Sequence, residues 1–193
     1  MGTLVTPPIL LDIPDQFETE RLLVRAPRPG DGSAVYDAVL ESLAELRAWP
    51  ASLPWALREP SADESEAYCR RGHADFLLRT DMPMLIFLWD DDTLVGATGL
   101  HRLDWQVPSC EIGYWGRSGY ANRGLITEAI RGIARFARAQ LGTRRIEARP
   151  DAENLPSRAV VERAGFALEG ILRNERKQPD GRLRDTCIYA LTT

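Results

Sequence analysis

Apolar positions along the chain recur with two periods. Helical spacing dominates the early part, and short runs of strand length begin near residue 84. After a Pro-rich, aperiodic opening over 1–16, residues 20–26 (ERLLVRA) read as a first strand. Ala34, Val35, Ala38, Val39, Leu43 and Leu46 then fall on one face of a helix. A loop with Trp49, Pro50, Pro54 and Trp55 follows it. Residues 61–79 predict a second amphipathic helix, opened by Ser61 with Glu64 three positions on, the spacing of a capping box.

Residues 84–89, 93–103 and 110–115 read as strands, the first two joined by a turn at Asp90, Asp91 and Asp92. Ile126, Ile130, Ile133, Ala137 and Leu141 mark one face of a long helix over about 123–141, which Gly142 stops; residues 145–149 form the next strand. A short helix follows. Asn154 caps it, Pro156 sits in a first turn where its missing N–H would be unpaired anyway, and Gly165 ends it in a left-handed conformation. Two last strands flank the turn at Pro179, Asp180 and Gly181. The order is βααβββαβαββ, with no internal repeat and no low-complexity segment.

Composition narrows the class. At 193 residues, 44% hydrophobic and 27% charged, the chain suits one soluble domain around one core. No apolar run approaches the roughly 20 residues of a membrane span. The start lacks a basic segment, and Pro7, Pro8, Asp12 and Pro14 interrupt its apolar residues, so a cytoplasmic protein without a signal peptide is expected. Cys69, Cys110 and Cys187 are scattered, and His73 and His101 are the only histidines, so neither disulfides nor a metal site is expected. His101, at the end of a strand, reads as a surface histidine. Residues 1–100 carry 17 acidic and 8 basic side chains, and residues 101–193 carry 11 and 16. The basic half suits an anionic small ligand and the acidic half a cationic substrate. No concentrated basic stripe invites nucleic acid.

Two strand–loop–helix units adjoin each other. The first runs from Glu111, Ile112, Gly113, Tyr114 and Trp115 through a loop to Asn122, Arg123 and Gly124 at the start of the long helix. Such a glycine-containing loop is an anion site, because unpaired N–H groups and the helix dipole both favour phosphate. The second unit is the Asn154 helix. Walker and G-x-G-x-x-G patterns are absent, which disfavours ordinary nucleotide folds.

Together these segments resemble the GNAT N-acetyltransferases, specifically their RimJ/RimL-type branch, over about residues 17–193. The features that carry the resemblance are T-E-R-L-L-V-R from Thr19, E-I-G-Y-W from Glu111, T-E-A from Thr127, and N-x-x-S-x-x-V-x-E-R-x-G-F from Asn154. A closing E-G-x-L-R from Glu169 and then Gly181, Asp185 and Tyr189 also fit. The resemblance implies an α/β fold with a mixed, mostly antiparallel seven-stranded sheet and about four helices over 17–193, while the Pro-rich, aperiodic residues 1–16 read as an extension lying on the surface. The family's pyrophosphate loop usually reads Q/R-x-x-G-x-G/A, and of it only Gly124 matches here. Asn122 tolerates positive φ, and Ile126 is bulkier than the motif expects.

Roles follow from the resemblance. Ile112, Gly113, Tyr114 and Trp115 would pair their backbone with the pantetheine arm of acetyl-CoA, and an N–H there would stabilise the oxyanion. Asn122, Arg123, Gly124, Leu125, Ile126 and Thr127 would hold the pyrophosphate, and Asn154 the pantetheine. Ser157 is either the group that protonates the departing thiolate or a second cap on its helix. Glu111 is either the general base, acting directly or through water, or an exposed strand residue. Trp49, Trp55 and Tyr114 would line the acceptor pocket, the two tryptophans being equally compatible with the core. The implied reaction is acetyl transfer to a primary amine. At pH 7 an α-amine is neutral in roughly one molecule of seven, a lysine amine in fewer than about one in a thousand. The RimJ/RimL-type resemblance implies a protein N-terminus of the ribosomal-protein kind as acceptor, which fits a site with one modest carboxylate base. A polyamine or aminoglycoside acceptor, a non-catalytic acyl-CoA sensor and a homodimer are left open.

Overall fold

In the computed structural model, which describes residues 6–192, the sheet begins with a hairpin where one strand was expected. β1 (Gln16–Glu18) pairs antiparallel with β2 (Leu22–Arg25). Thr19 makes the turn: its N–H donates to the Leu22 carbonyl at 2.9 Å, and its hydroxyl accepts from the Leu22 N–H at 3.2 Å. This sets Phe17 against Phe136, with ring centroids 5.2 Å apart. Of the segment 1–16, residues 1–5 lie outside the described residues, and Ile13 is buried in the main core at 6% exposure.

The helix expected from Ala34 to Leu46 is two, α1 (Gly32–Glu41) and α2 (Leu43–Arg47). Ser42 breaks it. Its backbone leaves helical values, its hydroxyl donates back to the Ala38 carbonyl at 2.8 Å, and it accepts the Ser118 N–H at 2.9 Å. α3 (Ala62–Leu78) starts as the sequence predicts, with Ser61 Oγ accepting from the Glu64 N–H at 3.1 Å. A Cβ on Gly32 would lie 2.6 Å from the Glu66 backbone, so glycine there lets α1 and α3 approach closely.

Then come β3 (Met82–Leu88), β4 (Leu94–Asp104), β5 (Ser109–Gly116), α4 (Leu125–Leu141), β6 (Arg145–Ala148), α5 (Leu155–Arg163), β7 (Ala167–Lys177) and β8 (Leu183–Thr192). The eight-stranded sheet runs β1-β2-β3-β4-β5-β6-β8-β7, antiparallel except between β5 and β6. The expected first strand over 20–26 is β2; β1, which lies ahead of it at the end of the segment read as an aperiodic extension, is the eighth strand, and the break at Ser42 gives the fifth helix. The mixed, mostly antiparallel class is as expected.

Each face of the sheet carries helices. Ile130, Ile133 and Ala137 of α4 are fully buried with Val24, Ile86, Leu100 and Ile112. Burial of each isoleucine contributes about 1.5–3 kcal/mol. On the other face, Val35 and Ala38 of α1 and Cys69 of α3 pack with Leu85, Phe87 and Ala97. Between these layers β5 and β6 meet only through Ser109, Cys110 and Glu111 opposite Arg145, Ile146 and Glu147, and then part. Among the described residues no helix is long and apolar enough to cross a membrane.

Candidate active site

The parting of β5 from β6 creates the first half of the site. Beyond Glu111, the β5 edge that faced β6 has no ladder partner, and Ile112, Gly113, Tyr114 and Trp115 lie along it. Alternation along the strand sends Ile112 into the α4 core and turns Glu111, Gly113 and Trp115 to the opposite face.

The loop after β5 reaches α4 through two left-handed residues, Asn122 at φ 60° and Gly124 at φ 77°. No side chain caps α4, so the N–H groups of Leu125, Ile126 and Thr127 keep the unpaired, anion-favouring character of a helix start. Ile126 fits because Gly96 and Gly116, paired across β4 and β5, leave it room. A Cβ on Gly116 would come 2.9 Å from its Cγ1. Arg123 turns back along the loop, its guanidinium 4.8 Å from the Tyr120 ring centroid and donating to the Gly119 carbonyl. Glu128 in the first turn is engaged by Arg21, which also donates to the Arg123 carbonyl at 3.1 Å. Burial pushes the Glu128 carboxyl up, but bonds from Thr19, the Arg21 N–H and the Arg21 side chain hold it below its ordinary range.

α5 closes the other side of the gap. Asn154 Oδ1 accepts the Ser157 N–H at 3.0 Å, so the cap is Asn154 itself. The Ser157 hydroxyl takes a different partner from the helix N–H expected of a second cap: it lies 2.7 Å from Tyr114 Oη, which also donates to the Ser157 carbonyl at 2.9 Å. Tyr114 therefore spans the opening from β5 to α5. Burial raises its phenol above the usual range, opposed by the bond to Ser157. Glu162 of α5 accepts from the buried Tyr189 hydroxyl.

The second half of the site lies on the far face of β4 and β5. There a cleft of about 550 Å³ opens between the sheet and α1, α3 and the Ser52–Ser61 connection. Glu111, Gly113, Tyr114 and Trp115 contribute to its lining, and Trp55 faces Trp115 with ring centroids 6.3 Å apart. Trp49 does not line it: its carbonyl accepts from the Ser52 and Leu53 N–H groups, a turn that carries the chain on to Trp55. Glu111 Oε2 lies 2.9 Å from Arg102 Nη1 and 3.9 Å from Arg149 Nε.

A histidine read from the sequence as a surface residue belongs to this cleft. His101 stands opposite Glu111 on the β4–β5 ladder, so both side chains rise from one face. Its Nδ1 is 2.7 Å from Asp81 Oδ1. The register brings the two together: β3 pairs Met82 with Leu100, which puts Asp81 and His101 on the next rung. No local motif carries it.

A family model described as an acetyltransferase (GNAT) domain matches residues 21–167. YdaF of Bacillus subtilis (strain 168), provisionally named a ribosomal N-acetyltransferase, is 31% identical over 176 residues, covering 89% of this chain and 91% of that protein. The [ribosomal protein uS5]-alanine N-acetyltransferase of Escherichia coli (strain K12) is 26% identical over 186 residues, covering 92% and 91%. The structure of Mycobacterium smegmatis RimJ in complex with CoA-disulfide superposes with a TM-score of 0.79 at 27% identity, covering 89% and 82%.

Proposed function

The chain belongs to the GNAT acetyltransferase family, in its RimJ/RimL-like branch, and from that premise we propose that it acetylates the α-amine of a protein N-terminus of the ribosomal-protein kind. The family sets the reaction class, acetyl-CoA-dependent N-acetyl transfer; the acceptor and the residue roles are what this reading adds. The observation that supports it is the placement of β5. One of its edges opens toward the starts of α4 and α5, and one of its faces floors a cleft with a carboxylate in it. A donor on the edge and an acceptor in the cleft would meet at the same strand.

Acetyl-CoA supplies an activated acyl carbon and a thiolate leaving group. The uncapped start of α4, with Asn122, Arg123 and Gly124 before it, suits the pyrophosphate, and the unpaired edge from Ile112 to Trp115 suits the pantetheine. Asn154 has its side-chain oxygen in the cap and its amide nitrogen left for the same arm. An edge N–H stabilises the charge that develops on the acyl oxygen. The Ser157 and Tyr114 hydroxyls, bonded to each other, return a proton to the departing sulfur. Glu111 is the carboxylate that the acceptor ammonium meets, and it removes or relays the proton directly or through water. The cleft's volume of about 550 Å³ and its aromatic lining suit a peptide end. The altered pyrophosphate loop gives the non-catalytic sensor little support, since Asn122 adopts the positive φ and Ile126 has its glycine notch.

The test incubates protein and acetyl-CoA with N-terminal peptides of ribosomal proteins, polyamines and aminoglycosides, following thiol release and mass gain. N-terminal peptides are expected to give the highest kcat/KM. Glu111→Gln is expected to lower it about 100-fold, within the range of a lost acid–base group, while acetyl-CoA binding by calorimetry is kept. Faster transfer to a small amine would move the acceptor to that class, and binding without any turnover would make the protein a sensor.

A further inference from the structure

We propose that His101, oriented by Asp81, is the group on which the acceptor's proton comes to rest before the amine attacks the thioester. The inference rests on the acetyl-transfer reading and concerns only where that proton goes.

The geometry is that of an oriented base. Asp81 has only acceptors when ionised, so the 2.7 Å contact makes His101 Nδ1 the donor and leaves the lone pair on Nε2. Among the described residues Nε2 has no protein hydrogen-bond partner. The sheet around it is cleared: a Cβ on Gly99 or Gly113 would stand 2.8 or 2.9 Å from Nε2, so the imidazole lies across two glycines. The His101 side chain is 35% exposed and lines the cleft, so it can pass a proton on to solvent.

Chemistry separates the two residues of the rung. Imidazole is the side chain most often used for proton transfer near neutral pH, and the neighbouring carboxylate already has Arg102 on one oxygen. The better-matched acceptor is the imidazole. Glu111, with Arg102 on one oxygen, supplies the negative field that draws the ammonium in. The proton count closes. R–NH3+ gives one proton to Nε2, directly or relayed through Glu111, and the lone pair so freed forms the N–C bond as the C–S bond breaks. The nitrogen loses its second proton as the amide forms, the sulfur leaves as thiolate and takes up one proton, and His101 releases its own to solvent. The sum is one amide, one thiol and one proton from ammonium and thioester.

The groups that will shape the pH response are Asp81 before β3, Glu111 with Arg102 and Arg149, and Glu64, Tyr68 and Arg71 of α3 across the cleft. The experiment compares wild type, His101→Gln and Asp81→Asn on an N-terminal peptide between pH 6 and 9. His101→Gln is expected to lose about 100-fold in kcat at pH 7 and to recover as pH rises and the amine becomes neutral unaided, with acetyl-CoA affinity unchanged. Asp81→Asn is expected to lose about tenfold, and free imidazole is expected to restore part of the rate of His101→Ala. A readout apart from turnover is the ¹⁵N spectrum of the two histidines, expected to show Nδ1 of His101 protonated in wild type and mixed in Asp81→Asn. If wild type acetylates the peptide and His101→Gln matches its rate and pH profile, the inference falls and the function stands. A wild type that binds acetyl-CoA but acetylates no amine overturns both.

Discussion

At the end proposed for the coenzyme, the groups that face the opening belong mostly to the backbone: the first N–H groups of α4 and the unpaired edge of β5. At the end proposed for the acceptor they are side chains, Glu111 from β5, His101 from β4, Trp55 from a connection and Tyr68 from α3. The two halves share one strand and differ in how they tolerate change. A backbone site survives replacement of its side chains if φ and space are kept, as Asn122 at positive φ and Ile126 in its glycine notch illustrate. A side-chain site is only as good as each residue that reaches it.

The largest effect is expected where the coenzyme end depends on side chains after all. Arg184 of β8 makes two bonds to Asp151, in the segment that leads into α5, and both side chains are buried. Arg184→Met leaves a buried carboxylate unpaired and is expected to cost about 3–5 kcal/mol, which lowers Tm by roughly 6–20 °C. Arg184→Met with Asp151→Leu should recover most of it, since a buried pair replaced by apolar groups is often neutral. Burial pushes the Asp151 carboxyl up, but the bonds from Arg184 and the Glu153 N–H hold it below its ordinary value. Its contribution is therefore present above the unfolded carboxylate's pKa of about 3.9 and is lost as pH falls through the lower folded value. Stability of the double variant should change less than that of wild type below about pH 4. An unchanged Tm in Arg184→Met would mean that backbone alone frames this end.

A smaller effect probes the backbone site directly. Gly124 holds φ 77° where the loop becomes α4. Gly124→Val forces a β-branched side chain into that region, at a cost of about 1–3 kcal/mol. Calorimetry is expected to show acetyl-CoA affinity down by about 10- to 100-fold. Retained affinity would show that side chains, Arg123 among them, hold the pyrophosphate.

The same contrast explains what the sequence made legible. α4, α5 and the turns that frame the coenzyme end were readable because Asn154, Gly142 and Gly165 act within a few residues of themselves. Ser42 was not, because the amide it accepts is at Ser118, 76 positions away. Nor was the first hairpin, where Thr19 turns the chain and Phe17 must find Phe136. The acceptor end depends wholly on such distant pairings. His101 has no meaning until the β3–β4 register puts Asp81 beside it, and Trp49 and Trp55 look alike until the turn between them sends only one to the cleft.

Those two tryptophans give the smallest test, and the one most specific to the acceptor end. Trp55 is 42% exposed and tilts toward Trp115 at the cleft wall, so its ring is open to an acceptor there. An aromatic contact of this kind contributes about 0.5–1.5 kcal/mol, so Trp55→Ala is expected to raise the acceptor KM by about 2- to 12-fold. Affinity for acetyl-CoA should stay as it is, because Trp55 is absent from the β5 edge and the α4 start. Trp49→Ala removes a ring that does not line the cleft, so it should cost stability and leave both constants alone. Steady-state kinetics with each substrate varied in turn separates these cases. Equal KM changes in the two variants would mean that the loop acts as one packed unit, and the acceptor end would then lose its description as a set of individually placed side chains.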